Sequence, residues 1–293
     1  MDQSLSEIRI GSTKLNYVIP GTAAVDVVGY TGSGRPYLSV ISSAQGGAYS
    51  VYGTVPLVPL MKGYGIPSKL PKVDIAEITD VNLQGSAAFV FRSTFPLITD
   101  QFKSERLPEA KIYRKGQWID VGRALTLKIN DRGDIAGVTM EPDDKGEGVL
   151  KSFVTVNGKR TIISSAKDVL LTESGDVLSF SVVLAEYSKN RYESIIQDAV
   201  WYSRGKKKAF QLKRGLVPVA AWSESRFIAH DPECSERFFL VENGKHTALD
   251  RISGIPDGRK LSRVKRVYGN GRIWVQVSDN EGTHYDAFLV PRT

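Results

Sequence analysis

The sequence predicts an all-β chain: a six-bladed β-propeller of four-stranded antiparallel blades, closed by pairing of the N- and C-terminal strands. Three observations carry that expectation. Apolar residues almost never recur at three- and four-residue spacing, whereas short alternating runs such as Ala124-Leu125-Thr126-Leu127-Lys128-Ile129 and Phe153-Val154-Thr155-Val156 are each followed by a turn. A strand-turn-strand segment recurs with its turn at positions 34, 85, 133, 175, 226 and 271, so 42 to 51 residues apart, the length of a four-stranded blade. A second turn follows in the middle four units, and two hairpins make four strands.

In chain order, the first unit runs from Tyr30 to Ser39 around Gly34, with Tyr52-Gly53 as its second turn. The second has Val81 to Phe89 around Gly85 and then Lys115-Gly116. The third has Ile129 to Gly137 around Gly133 and then Asn157-Gly158, a strong type I′ signal because both central residues need positive φ. The fourth has Leu171 to Ser179 around Gly175 and then Arg204-Gly205. The fifth has Trp222 to His230, with Arg226 in the glycine's place, and then Asn243-Gly244. The sixth, Val267 to Val275 around Gly271, ends at Phe288-Leu289-Val290-Pro291-Arg292-Thr293 after a third strand. Its fourth strand is expected from Ile8-Arg9-Ile10 or Leu15 to Ile19, which removes exposed edges. The 293 residues therefore read as one domain, 1–293, and not as two of about 150.

The units resemble the bacterial HAF-type repeat, an Ile-Asn-Asp-x-Gly-x-Ile-x-Gly hairpin followed by an Ala-Phe-Leu strand. Ile129 to Gly137 matches the first part, and Asp286-Ala287-Phe288-Leu289 and Lys208-Ala209-Phe210 echo the second. The resemblance implies a propeller-like β-fold in a bacterial protein and supplies no catalytic residues. Fold alone does not fix function.

Composition narrows the function classes. One cysteine, Cys234, excludes an intrachain disulfide, and no apolar run reaches the roughly 20 residues of a membrane helix, so no membrane insertion is expected. The start, Met1 to Glu7, is polar and acidic and is no secretory leader; the expected compartment is the cytoplasm, or the exterior if a leader has been removed. A net charge of +7 permits acidic partners without demanding them. The basic segments Arg204 to Lys208 and Arg259 to Arg266 do not share one surface in this register, so nucleic acid is disfavoured.

The topology of a four-stranded meander puts the connection between strands two and three, and the connection to the next unit, at one end. The long connections fall there: Arg92 to Ile112, Glu141 to Val149, Ala185 to Gln197, His230 to Arg237, Ser278 to His284, and the inter-unit stretches Pro56 to Pro71 and Asp250 to Ser262. Long loops on a rigid scaffold carry binding. A noncatalytic, monomeric binding module is expected, holding a protein partner through Arg106, Tyr187, Arg191, Tyr192, His230, Arg237, His284 and Tyr285. The alternative is a glycan-binding or glycan-cleaving propeller with loop carboxylates over the central channel, drawn from Asp143, Asp144, Glu186, Glu193 and Asp231. A third reading is a scaffolding subunit.

No catalytic residue, metal ligand or cofactor is assigned. Gly-x-Ser-x-Gly, Walker and kinase signatures are absent from the sequence. The loop Glu141-Pro142-Asp143-Asp144-Lys145-Gly146-Glu147 lacks the alternating register of a calcium loop, and His230, His246, His284 and Cys234 lack zinc spacing. The four tryptophans, at 118, 201, 222 and 274, fall on expected strands and read as packing between blades.

Overall fold

A computed structural model describes residues 5–8, 22–30, 36–44, 51–55, 75–92, 108–188, 191–212, 215–234, 237–252, 255, 258–281 and 284–291. The chain forms two compact units, Met1–Leu15 with Leu170–Thr293, and Asn16–Val169. After β1 (Leu5–Ile8), the second unit holds a sheet of β2 (Thr22–Tyr30), β3 (Pro36–Ala44) and β4 (Val51–Val55). It also holds the blade β5 (Ile75–Val81), β6 (Ala87–Arg92), β7 (Glu109–Arg114), β8 (Gln117–Arg123). The blade β9 (Thr126–Ile129), β10 (Ile135–Pro142), β11 (Gly148–Val156), β12 (Lys159–Ser165) follows.

The first unit is built on β13 (Asp168–Leu171), β14 (Val177–Ser188), β15 (Arg191–Ser203), β16 (Lys206–Ala209) and on β17 (Val217–Ser223), β18 (Arg226–His230), β19 (Phe238–Glu242), β20 (Lys245–Ala248). A single turn of helix, α1 (Leu249–Ile252), leads to β21 (Arg259–Val267), β22 (Ile273–Asp279) and β23 (His284–Pro291). The fourth strand of that last sheet is β1, antiparallel to β23 with Leu5 opposite Pro291 and Ile8 opposite Phe288. No helix among the described residues is long and apolar enough to cross a membrane.

The expectation of a six-bladed propeller is corrected: the four-stranded antiparallel blades are five, and β2-β3-β4, three-stranded among the described residues, does not make a sixth. Tyr52-Gly53 makes no second turn there. Both residues lie inside β4, opposite Ser43 and Ser42, because the flanking Val51, Thr54 and Val55 keep the segment in register with β3. The N-terminal contribution is also displaced, to Leu5–Ile8; Arg9 to Ile19 lie outside the described residues. Arg226 does not mimic a glycine, since Ser223 pairs directly with Arg226 across a two-residue turn and no positive φ occurs at that position. The turn around Gly34 lies outside the described residues.

The blade β17–β20 is apolar on both faces because it packs against a neighbour on each side within its unit. Along β18, Phe227 and Ala229 join a core with Leu178, Phe180, Trp201 and Phe210 of the preceding blade, while Ile228 points the other way. There it meets Leu261, Val264, Ile273, Val275 and Leu289 of the next blade. Period-two alternation therefore buries both sets, which is why these strands read as near-continuous hydrophobic runs. In the other unit Ala88, Val90 and Ile112 meet Leu127, Ile129 and Phe153 in the same way.

The four second turns form as expected. Lys115-Gly116, Asn157-Gly158, Arg204-Gly205 and Asn243-Gly244 have φ of 49° to 50° at the first residue and 77° to 83° at the glycine, the type I′ pattern. The first turns are five-residue loops in which the N–H of Asn82, Asn130, Thr172 or Tyr268 donates to the carbonyl four residues on. The glycine N–H donates back to that same residue's carbonyl. The acidic segment 141–149 follows this pattern too: β10 and β11 run up to Asp143 to Glu147, and the Asp143 carboxylate accepts from the Lys145 and Glu147 N–H groups at 2.9 and 2.8 Å. What looked like a long connection is a capped turn.

Candidate functional site

The blade β13-β14-β15-β16 is unequal in a way that singles it out. β14 and β15 have 12 and 13 residues, while β13 and β16 have four each. β16 pairs with Val200 to Ser203 only, and β13 is tied to β14 by the tight turn Thr172 to Asp176. Ser181 to Ser188 and Arg191 to Gln197 therefore pair with each other alone, as a two-stranded ribbon with no third strand among the described residues. A bulge marks its root: Phe180 faces both Asp198 and Ala199, and Asp198 takes φ 53°. Such an extra residue bends the strand and raises its twist.

The ribbon's composition explains both its formation and its exposure. β-branched Val182, Val183, Ile195 and Ile196 favour strand, and Val182 and Ile196 form a cross-strand pair packed against the core of Leu178, Phe180 and Trp201. Two residues further along the same face, Leu184 is 72% exposed, opposite Ser194. Leu184 thus marks where the apolar face of the ribbon leaves the core.

The segment 185–197, expected as an irregular loop, is the outer part of this hairpin. Three of the expected binding residues come together there, Tyr187 on β14 and Arg191 and Tyr192 on β15, with Glu186 opposite Tyr192 and Ser188 opposite Arg191. His230 and Arg237 meet at the base of another connection. The Asp231 N–H donates to the Arg237 carbonyl at 3.0 Å, and the Asp231 carboxylate holds the Arg237 guanidinium at 3.4 Å. The His230 ring stacks on Phe238 with centroids 4.7 Å apart, so it packs a cross-strand pair. His284 and Tyr285 open β23, opposite Ser278 and Val277. Arg106 lies outside the described residues.

Two of the carboxylates weighed for glycan chemistry have structural employment: Asp143 caps its own turn, and Asp231 accepts from the Glu233 N–H at 3.1 Å besides binding Arg237. Among the described residues no group of three or more His, Cys, Asp or Glu is placed to hold a metal ion. The reading of the residues missed Leu184 and the length of the ribbon. The signal was present as two β-branched runs, Val182-Val183 and Ile195-Ile196, nearly symmetric about the polar stretch between them.

An all-β chain of propeller-type blades, one of which extends a bare ribbon, is the class of protein so defined. No family model matches the chain, and no curated protein sequence matches it. Among solved structures it is similar to the β-propeller domain of the Trilobed protease from Pyrococcus furiosus, at 8% identity and a TM-score of 0.49, over 88% of this chain and 75% of that one. It is similar too to the acylaminoacyl peptidase of Pyrococcus horikoshii, at 10% identity and a TM-score of 0.49, over 88% of this chain and 44% of that one.

Proposed function

We propose that the chain is a noncatalytic, monomeric binding module that holds a protein partner by the β14–β15 ribbon. The observation that carries this reading is Leu184, 72% exposed on a ribbon whose strands continue beyond their flanking strands. A two-stranded ribbon is marginally stable alone, and its outer edges carry no third strand among the described residues. The occupant that satisfies both deficits is an extended segment of another protein. It adds as a strand beside Arg191 to Gln197, with main-chain hydrogen bonds for affinity and apolar side chains over Leu184 for specificity. Tyr187, Arg191 and Tyr192 occupy the same ribbon and are of the aromatic and arginine types that dominate interface energies. The repeat itself is read as HAF-type on Ile129 to Gly137, which also makes the source bacterial.

The test is a crosslinking comparison in the native source. A photoreactive residue at position 184 is expected to capture one discrete protein, and the same residue at Ile119, 45% exposed on β8, is not. Leu184→Asp should abolish capture by a crosslinker at 186 while leaving the circular dichroism spectrum unchanged. Equal capture from 184 and 119, or capture indifferent to Leu184→Asp, rejects the ribbon as the docking element.

A further inference from the structure

β21 carries Arg259, Lys260, Arg263, Lys265 and Arg266, and strict alternation would scatter these cations over both faces of its sheet. Two bulges prevent this. The register shifts between Leu261 and Arg263 and again between Val264 and Arg266, so Ser262 and Lys265 are the extra residues. Lys260, Arg263 and Arg266 then stand opposite Ser278, Gln276 and Trp274, which are alternate residues of β22 and so lie on one face. Leu261, Val264 and Val267, opposite Val277, Val275 and Ile273, take the other face and are buried in the core shared with β17–β20. Lys265 joins the cationic face, with its Nζ 5.8 Å from the centre of the Trp274 ring.

The row has the repeat of a β-strand. Its members follow alternate residues of β22, about 6.8 Å apart, and Lys260 and Arg263 are exposed. At one end Arg266 already holds a carboxylate, Glu173 of the β13–β14 turn, at 2.8 Å. Arg263, next in the row, makes no ion pair or hydrogen bond through its guanidinium among the described residues. The acidic residue in register on this face, Asp286 opposite Gln276, stands two strands from Arg263 on β23. Trp274 and Phe288, which share the face, are 3% and 8% exposed, so neither offers a stacking platform for a nucleic-acid base.

We infer that this row docks an extended acidic segment of another protein, whose alternate carboxylates meet Lys260 and Arg263 beside the hydrogen-bonding side chains of Gln276 and Ser278. An extended chain brings alternate side chains to one face at the same repeat of about 6.8 Å, so successive carboxylates fall opposite successive cations. The Glu173–Arg266 pair is the intramolecular instance of the same contact. The row belongs to a different blade from the β14–β15 ribbon and does not depend on the ribbon reading.

Fluorescence anisotropy of the intact chain with three labelled probes tests the assignment: a heptapeptide alternating Glu and Thr, a heptapeptide of the same composition with its glutamates contiguous, and a single-stranded oligothymidylate. The alternating peptide is expected to bind, more weakly as salt rises from about 50 to 200 mM, and both other probes several-fold less tightly. Arg263→Ala, at an exposed position, should cut affinity for the alternating peptide about tenfold with an unchanged circular dichroism spectrum. Lys145→Ala, the same change of charge at the exposed β10–β11 turn, should leave it unaltered. Absence of binding, equal affinity for the two peptides, tighter binding of the oligothymidylate, indifference to Arg263→Ala, or an equal loss in Lys145→Ala each overturns the proposal.

Discussion

The first turn of a blade, such as Asn130 to Asp134, spends its side chains on itself and on the next blade, whereas the second, such as Asn157-Gly158, holds only its own hairpin. Asn130 is 1% exposed; its Oδ1 accepts from the Asp134 and Arg132 N–H groups at 2.9 and 3.1 Å, and its Nδ2 donates to Asp134 at 3.0 Å. Its backbone carbonyl accepts from Asn82 Nδ2 of the neighbouring blade at 2.8 Å, and Asp131 accepts from the Leu83 N–H at 2.7 Å. In the other unit the first turns accept: Glu173 from Arg266 of β21 at 2.8 Å, and the Tyr268 carbonyl from Trp222 Nε1 of β17 at 2.9 Å. By contrast, a Cβ added at Gly116, Gly158, Gly205 or Gly244 would meet nothing within 4 Å. First turns therefore set how one blade sits on the next, and second turns set strand register within a blade.

The contrast is broken most severely beside the first hairpin of β9–β10. Gly137 has no room for a side chain: a Cβ there would lie 2.5 Å from the Thr126 carbonyl oxygen and 2.8 Å from the Phe153 ring. The ring cannot retreat easily, because the Arg160 guanidinium sits over it at 3.8 Å. Burial lowers the pKa of that guanidinium, with Glu141 countering the shift. Gly137→Ala is expected to cost about 3 kcal/mol, the upper range for overpacking, and to lower the melting temperature of its unit by roughly 6–12 °C in calorimetry.

Asn130→Ala comes next, at about 2–3 kcal/mol, because it strands buried N–H groups inside the turn. Asn82→Ala removes the Nδ2 donor and the 2.8 Å bond from the Ser86 N–H. If first turns couple blades, the double variant should lose less than the sum of the singles; strict additivity would mean that each turn stabilises only itself. Glu173→Ala should cost less, about 1–2 kcal/mol. Its pair with Arg266 is 16% and 13% exposed rather than sealed, and the orphaned guanidinium keeps the Tyr268 ring at 5.4 Å.

These two kinds of turn also explain what the sequence could tell. Lys-Gly, Asn-Gly and Arg-Gly dipeptides specify a local backbone geometry, so all four second turns were legible at the residue. First turns were legible where a glycine marks φ near 80°, at Gly85, Gly133, Gly175 and Gly271, and misread at Arg226, where a two-residue turn replaces the five-residue loop. The β14–β15 ribbon was hidden for a different reason. Between its two β-branched ends, Val182-Val183 and Ile195-Ile196, the stretch 185–193 has no alternating apolar pattern, so the sequence there does not separate a strand from a solvated loop.

The smallest effect is expected at a second turn, and it separates conformational cost from contact cost. At Gly158 φ is 77°, a region that an L side chain enters at roughly 1–2 kcal/mol, but the space around it is empty. Gly158→Ala should therefore cost about 1 kcal/mol, some 2–4 °C in melting temperature, with no change in the slope of a urea titration. The residue before it already accepts positive φ as asparagine, so Asn157→Gly should shift stability by only a few tenths of a kcal/mol. A loss at Gly158 as large as at Gly137 would mean that second turns also carry contacts between blades. In that case the division of labour between the two turns would not hold.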